Sequence, residues 1–233
     1  MNDPERHTII KYEEELATLH ATLLKMGDLV ERQIAEAVES LVKRNSAQAR
    51  ETIARDVEVN RMDVEIDERC IDLLALYQPA AGDLRLIITG LKITTDLERI
   101  GDNAVNICER TLGLNQEPPL KPYVDIPRMA EIARSMVKDS LEAFTRRDVA
   151  LAEAVIARDD EVDNLDRQIY LELPRYMAED PKTVPRAAGI LFVSKFLERI
   201  ADHATNIAEM VVFLVKGHTI RHMDIRRGQV EHP

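Results

Sequence analysis

The sequence predicts an all-helical protein, and three observations support this prediction. Apolar residues recur at three- and four-residue spacing over long stretches, which is the periodicity of one face of an α-helix. Aromatic residues make up only 4% of the chain and Trp is absent, so the usual material of β-sandwiches and barrels is scarce. Only 8 glycines occur in 233 residues, and 45% of the residues are apolar, enough to bury a real core.

The places where helices must stop divide the chain into six long helices. Asn45-Ser46 and Gln78-Pro79 are typical helix breaks, and a segment with four prolines between residues 118 and 127 cannot continue a helix. Pro174 is expected to kink the fifth helix or end it early, and Gly217 to stop the sixth. The predicted helices cover residues 5–44, 46–77, 79–112, 128–147, 148–177 and 183–216.

An internal repeat indicates how these helices are organised. Residues 53–66 align with 156–169 at an offset of 103, and residues 97–107 align with 197–207 at an offset of 100. Each half is therefore one three-helix unit, and three amphipathic helices joined by short turns pack most simply as an antiparallel bundle. We predict two tandem three-helix bundles, with domain boundaries at 1–113, 114–126 for a proline-rich linker, 127–217, and 218–233 for a C-terminal tail.

Charge and cysteine content exclude several classes of protein. The chain has 31 Lys and Arg against 42 Asp and Glu, and a net charge of −11 opposes binding to nucleic acid or to an anionic membrane surface. The first six residues lack the apolar core of a secretion signal, and no apolar stretch approaches the roughly 20 residues that span a bilayer. A cytoplasmic protein without membrane insertion is expected, with Cys70 and Cys108 as packing residues.

Acidic side chains share one face of the third and sixth predicted helices. At about 100° per residue they fall opposite the apolar stripe, where they are expected to face solvent. Acids on adjacent turns repel each other and destabilise a helix by a few tenths of a kcal/mol. Hard cations prefer several carboxylate oxygens at once, so this spacing suggests a metal site. The residues are Glu98, Asp102 and Glu109 in the third helix, and Glu198, Asp202 and Glu209 in the sixth.

A matching set of polar residues lies in the helix that precedes each of these two. In an antiparallel hairpin, Asp163 lies level with Glu198 and Asp159 level with Asp202. The first half repeats the arrangement, with Asn60 level with Glu98 and Asp56 level with Asp102. Asn60 replaces an acid, so the first site is expected to bind metal more weakly. The predicted sites are shallow and lie on the surface.

Two other interpretations of these charges remain open. Solvated ion pairs with Arg55, Arg99, Arg158, Arg199 and Lys195 would explain the acids without any metal. Asn106, Asn206 and His203 could supply further ligands or merely contact neighbouring helices.

No His follows a Glu by three residues, and His-Glu-x-x-His, a phosphate-binding glycine loop and G-x-S-x-G are all absent, so we expect no catalysis.

The doubled motif L-E-R-I-x-D-x-A-x-N-I at 97–107 and 197–207 resembles the PhoU family of accessory regulators of phosphate-specific transport. Pro79-x-x-x-Asp83-Leu84-Arg85 at the start of the third helix supports the resemblance. So does the ending Lys216-Gly217-His218-Thr219-Ile220-Arg221-His222, which is similar to the family's K-G-x-x-x-R-H pattern. The resemblance covers nearly the whole chain.

The resemblance implies a function, partners and a metal. It implies negative control of the phosphate-starvation response by an adaptor between the ATPase subunit of a phosphate ABC transporter and a sensor histidine kinase. It also implies a cytoplasmic protein peripheral to the inner membrane through protein partners, and we expect a homodimer. The family's E(D)-x-x-x-D motifs bind multinuclear iron or zinc, or another divalent cation, and match Glu98/Asp102, Glu198/Asp202 and Asp159/Asp163, while Asp56/Asn60 departs from the strict motif.

Three alternatives to this function stay open. A PhoU-like paralogue could act on transport or metal handling only. A metal-storage protein or metal-dependent enzyme is disfavoured by the missing Glu-x-x-His. A purely structural helical scaffold would pair these acids with arginines and bind no metal.

Overall fold

The computed structural model describes residues 4–220, and the fold is all-helical, as predicted. No strand occurs within these residues. A short 3-10 helix, Pro181–Thr183, precedes the last α-helix. The α-helices are α1 (Pro4–Val42), α2 (Ser46–Tyr77), α3 (Ala81–Leu114), α4 (Asp125–Arg146), α5 (Val149–Glu179) and α6 (Val184–Lys216).

Local capping residues set several helix ends close to their predicted positions. The side chain of Asn45 accepts a hydrogen bond from the backbone N–H of Gln48 at 3.1 Å, which starts α2. Asp148 caps α5 in the same way through the N–H of Leu151 at 3.0 Å. Gly217, with φ of 77°, ends α6 in the left-handed conformation that glycine adopts without steric cost.

Of the two expectations for Pro174, a kink or an early end of the helix, the early end is wrong. The helix continues past Pro174 to Glu179. Proline removes one backbone donor, so the carbonyl of Tyr170 loses its usual partner. Tyr170, Leu171 and Pro174 are exposed, and water can therefore satisfy the freed carbonyl.

Each half is a three-helix bundle, and the two bundles share one core. α1, α2 and α3 pack against one another, as do α4, α5 and α6. Across the middle, α3 packs against α6 and α1 packs against α4, so α2 and α5 are the outer helices. A single cluster of buried apolar side chains includes residues from all six helices.

Close helix contacts fix the two halves against each other. α3 and α6 run antiparallel, because Leu114 at the end of α3 contacts Gly189 near the start of α6. A Cβ built on Gly189 would lie 2.8 Å from Leu114 Cδ2. Between α1 and α4, a Cβ on Gly27 would lie 2.2 Å from Leu141 Cδ1, and the rings of His20 and Phe144 stack at 5.2 Å. Glycine at positions 27 and 189 lets these helices approach.

Three cationic side chains hold the proline-rich connection between α3 and α4. Arg44, after α1, donates hydrogen bonds to the carbonyls of Asn115 at 3.0 Å and Glu117 at 2.5 Å. Lys121 forms an ion pair with Glu172 of α5, and Arg186 of α6 donates to the carbonyl of Pro118 at 3.0 Å. The connection is therefore bound to both halves.

The cysteines are packing residues, as predicted. Cys70 and Cys108 are buried free thiols, and burial raises the pKa of each to about 12. In the described part of the chain, no helix has an apolar stretch long enough to cross a bilayer. Arg221, His222 and the rest of the predicted tail from residue 221 to 233 lie outside the described residues.

Gly27→Val is expected to lower the free energy of unfolding by about 1–3 kcal/mol, the usual cost of overpacking a core. The added side chain would displace Leu141, which is 5% exposed. Urea denaturation measures the change. Gly113→Val is the matched control, because a Cβ at Gly113 meets nothing within 4 Å. Equal stability of the two variants would contradict the close α1–α4 contact.

Candidate functional site

The acids of the first half do come together at the contact between α2 and α3. Burial and the carboxylate of Asp102 raise the pKa of Asp56, although hydrogen bonds from Gln33 and Asn60 oppose the rise. Burial raises the pKa of Glu98, and the carboxylates of Asp102, Asp63 and Asp56 add to this effect. Asp56 thus interacts with Asp102, the residue predicted to lie level with it.

Gly101 allows α3 to approach α2 at this cluster. A Cβ at Gly101 would lie 3.2 Å from Asp56 Oδ1 and 3.3 Å from Gln33 Oε1. Gln33 donates from Nε2 to Asp56 Oδ1 at 3.2 Å, and Asn60 donates from Nδ2 to Asp56 Oδ2 at 3.0 Å. Asn60 therefore serves as a hydrogen-bond donor to the cluster, which an aspartate could not do.

The second half brings its acids together between α5 and α6. Burial first, and then the carboxylates of Glu198 and Asp163, raise the pKa of Asp202 from 3.8 to about 6. Lys195 forms an ion pair with Glu198 Oε1. The other oxygen, Glu198 Oε2, is buried and has no hydrogen-bond partner. Asp159 is buried on α5, with 7% of its surface exposed.

The prediction of a shallow site on the surface needs correction for Glu198 and Asp159. The side chain of Glu198 is only 14% exposed, and Asp159 is almost fully buried. For Glu198 the reason is that α6 is a central helix and contacts α3 as well as α4 and α5, so less of its circumference remains free. Asp163 and Glu109 are exposed as expected, and Glu209 is half-buried. Asp202 also reaches solvent, but its neighbours dehydrate it enough for burial to raise its pKa.

Two of the five neighbouring cations point away from the acid clusters. Arg55 forms an ion pair with Glu36 of α1, and Arg158 forms the equivalent pair with Asp139 of α4 at 2.6 Å. These two pairs bind the outer helices to α1 and α4. Arg99 lies 3.3 Å from Glu98 and 3.5 Å from Asp102, so it compensates part of the first cluster.

His203 and Asn206 contact the other half of the protein. His203 Nδ1 lies 2.9 Å from Asp96 Oδ1, and Asn206 donates from Nδ2 to the same oxygen at 3.2 Å. Asp96 lies on α3 and is 8% exposed. The interpretation of Asn206 as a contact to a neighbouring helix is therefore confirmed, and His203 has a structural partner.

Sequence reasoning missed Asp63, Gln33 and Asp96. Asp63 occupies the same place in its copy of the repeat as Asp166 does in the other, and this identity could have revealed it. Asp166 in turn interacts with Lys195. Burial lowers the pKa of Lys195, but the hydrogen bond to Glu198 and the negative charges of Glu198 and Asp166 raise it further, so the net pKa is raised. Gln33 and Asp96 belong to no motif, and only the packing of α1 against α2 and of α3 against α6 brings them into place.

The donor chemistry of the second cluster fits a hard divalent cation. Glu198 Oε2 is a buried carboxylate oxygen without a partner, and burial together with the carboxylates of Glu198 and Asp163 disfavours the charged form of Asp202, which a cation would favour. As the side chains stand, however, no three His, Cys, Asp or Glu residues among 4–220 converge in a metal-holding arrangement. Binding would therefore require carboxylates to change rotamer.

Asp202→Asn is expected to be stabilising near neutral pH but not in acid. Because folding raises the pKa of Asp202 from 3.8 to about 6, stability from this group is lost as the pH rises through that window. The amide removes the loss, so the variant should gain about 0.5–1 kcal/mol over the native protein, a screened value. Urea denaturation with a chelator at about pH 4 and pH 7.5 tests this, and a pH-independent difference would contradict it.

Comparison with known proteins gives a consistent result in both halves. The PhoU domain family matches residues 23–111 and 126–211. The phosphate-specific transport system accessory protein PhoU homolog of Aquifex aeolicus is 46% identical over 93% of this chain and 98% of its own length. The homolog of Pseudomonas putida is 40% identical over 97% of this chain and 88% of its own length.

Solved structures agree with the sequence comparisons. The crystal structure of PhoU from Pseudomonas aeruginosa has a TM-score of 0.86 at 41% identity and covers 89% of this chain and 100% of the other. The phosphate transport system regulatory protein PhoU from Streptococcus pneumoniae has a TM-score of 0.82 at 28% identity, covering 89% and 98%. Because family, sequence and fold agree over both bundles, the chain belongs to the PhoU family.

Proposed function

We propose that this chain is an accessory and regulatory protein of a phosphate-specific transport system. The observation that carries the proposal is its similarity, over more than nine-tenths of its length, to relatives described as accessory proteins of that system. The ranges matched by the family cover both bundles and the positions of both acid clusters. None of the relatives named above is described as an enzyme, and we propose a role without catalysis.

The finer proposal is that the protein represses the phosphate-starvation response as an adaptor. It would link the ATPase subunit of the phosphate ABC transporter to a sensor histidine kinase and so work in the cytoplasm at the inner membrane. Long exposed faces on the outer helices α2 and α5 support binding to proteins. The net charge of −11 favours protein partners over lipid or nucleic acid, and a homodimer belongs to the same proposal.

We also propose that the acid clusters bind a divalent cation, with iron or zinc as candidates. Glu198, Asp202, Asp159 and Asp163 would hold it in the second half. Glu98, Asp102 and Asp56 would form a weaker site, because Arg99 and Asn60 already compensate those acids. A bound cation would neutralise the clusters and so change the charge of the surface that partners meet.

Glu198→Gln with Asp202→Asn is expected to remove most of the metal from the second site and leave the fold intact. The amides keep the shape of the side chains but lose the anionic ligands. Elemental analysis of the purified protein measures the metal, and circular dichroism checks the helices. Glu13→Gln with Glu14→Gln, on exposed residues of α1, is the control. Unchanged metal content in the double variant would refute the assignment.

Deletion of the gene in the source organism is expected to raise a phosphate-starvation reporter, such as alkaline phosphatase, in high phosphate. Restoring the gene should lower the output again, because the proposed protein is a repressor. Unchanged output would refute negative regulation. It would favour the alternative of a paralogue acting on transport or metal handling only.

A further inference from the structure

An apolar row runs along the outer face of α2. Val57, Val64 and Ile71 are spaced seven residues apart, so they lie on one line along the helix. Their exposed fractions are 67%, 55% and 60%, and the main neighbours of α2 among the described residues are α1 and α3. The row is about 21 Å long at 1.5 Å per residue. β-branched residues are poor choices for an exposed helix surface, so stability of the helix does not explain them.

Acids border this row on both sides at the same spacing. Glu58, Glu65 and Asp72 follow the row residues by one position and lie on the side toward α1. Asp56 and Asp63 precede the row residues and lie on the side toward α3, where they act on Glu98. From 57 to 72 the chain has six acids and two arginines, and one of these, Arg69, is paired with Glu15.

A groove beside the C-terminal end of the row, near Ile71, also combines acidic and apolar side chains. It lies between α1 and α2 and has a volume of about 340 Å³. Four acids, Glu15, Glu65, Glu68 and Asp72, outnumber its two cations, Lys11 and Arg69, and the exposed Leu76 adds an apolar side chain. Basic side chains of a bound segment could reach these carboxylates while apolar ones cover the row.

The second half lacks this surface, although it repeats the fold. At the offset of 103, Asp160, Arg167 and Pro174 replace the three apolar residues. The row is therefore not a requirement of the three-helix bundle. A second copy of the same face would bring acids against acids, which disfavours a symmetric dimer through α2.

We propose that the outer face of α2 binds a cationic amphipathic helix of a partner protein. Its apolar side would cover Val57, Val64 and Ile71, and its Lys or Arg residues would pair with the two acidic rows. This inference rests on the proposed adaptor function and deepens it, since it names one docking surface and the chemistry of its occupant.

A peptide titration tests the surface directly on the full chain. The probe is a 21-residue synthetic helix with a leucine heptad row flanked by lysines, and its counterpart has glutamates in place of the lysines. Fluorescence anisotropy should show binding of the lysine peptide, with Kd at least tenfold higher for V57Q/V64Q/I71Q. The matched control D160Q/R167Q, at the equivalent positions of α5, should bind within twofold of the native protein.

Equal binding to the triple variant, or equal binding of the glutamate peptide, would overturn the proposal. All substituted positions are exposed, so thermal unfolding and circular dichroism of the variants should match the native protein. Glu58→Gln, Glu65→Gln and Asp72→Asn together should weaken binding and flatten its dependence on salt.

Photo-crosslinking in cells identifies the natural occupant. A photoreactive residue at position 64 should crosslink to another protein at a segment in which Lys and Arg flank an apolar helical row. The same residue at position 167 should not. Crosslinks to a second copy of this chain, the same adducts from both positions, or no adduct at all would overturn the proposal. These readouts measure binding alone, so failure of the reporter experiment would refute repression without deciding this surface.

Discussion

The antiparallel contact between α3 and α6 is the constraint on which the rest of the structure depends. Both helices carry the repeated motif, and each packs against its own bundle and against the other half. Ile100 and Ile200 fill the core of their bundles, while Asp96, His203 and Asn206 bond across the contact. Only a narrow strip along α3 and along α6 lies outside these helix contacts, and the acids occupy that strip.

This confinement has an electrostatic consequence. Carboxylates on successive turns of one helix meet carboxylates of the adjacent outer helix in a partly dehydrated crevice, so their pKa values rise. The ion pairs of Arg55 and Arg158 leave that repulsion in place, because both arginines bind acids on α1 and α4 instead. Repulsion among these carboxylates destabilises the fold, and the packing of the bundles does not require acids at these positions. This favours a functional reason for the acids.

The repeat conceals a difference in surface chemistry between the halves. The second half holds the more buried acids, Glu198 and Asp159, and a carboxylate oxygen without a partner. The first half has Asn60 and Arg99 within its cluster but carries the apolar row on α2. Duplication explains why both halves fold alike, whereas the positions that differ give the second half partly buried paired carboxylates and the first half an exposed apolar row.

Local signals determined the helices and the two bundles. Periodicity, the caps at Asn45 and Asp148, and the repeat are properties of residues near one another in sequence, so they were readable without a structure. The same holds for Glu98, Asp102, Glu198 and Asp202, since spacing of four along a helix defines a shared face. Pro174 misled the prediction, because its effect depends on whether water reaches the freed carbonyl.

Only the tertiary structure decided how the halves meet and what surrounds each acid. Gln33 and Asp96 join the sites through contacts between residues far apart in the chain, such as Asp96 with His203. The burial of Glu198 follows from the position of α6 between three other helices, which no pattern within α6 specifies. Sequence periodicity identifies the apolar face of a helix, but the packing of all neighbours determines how much of the polar face stays in water.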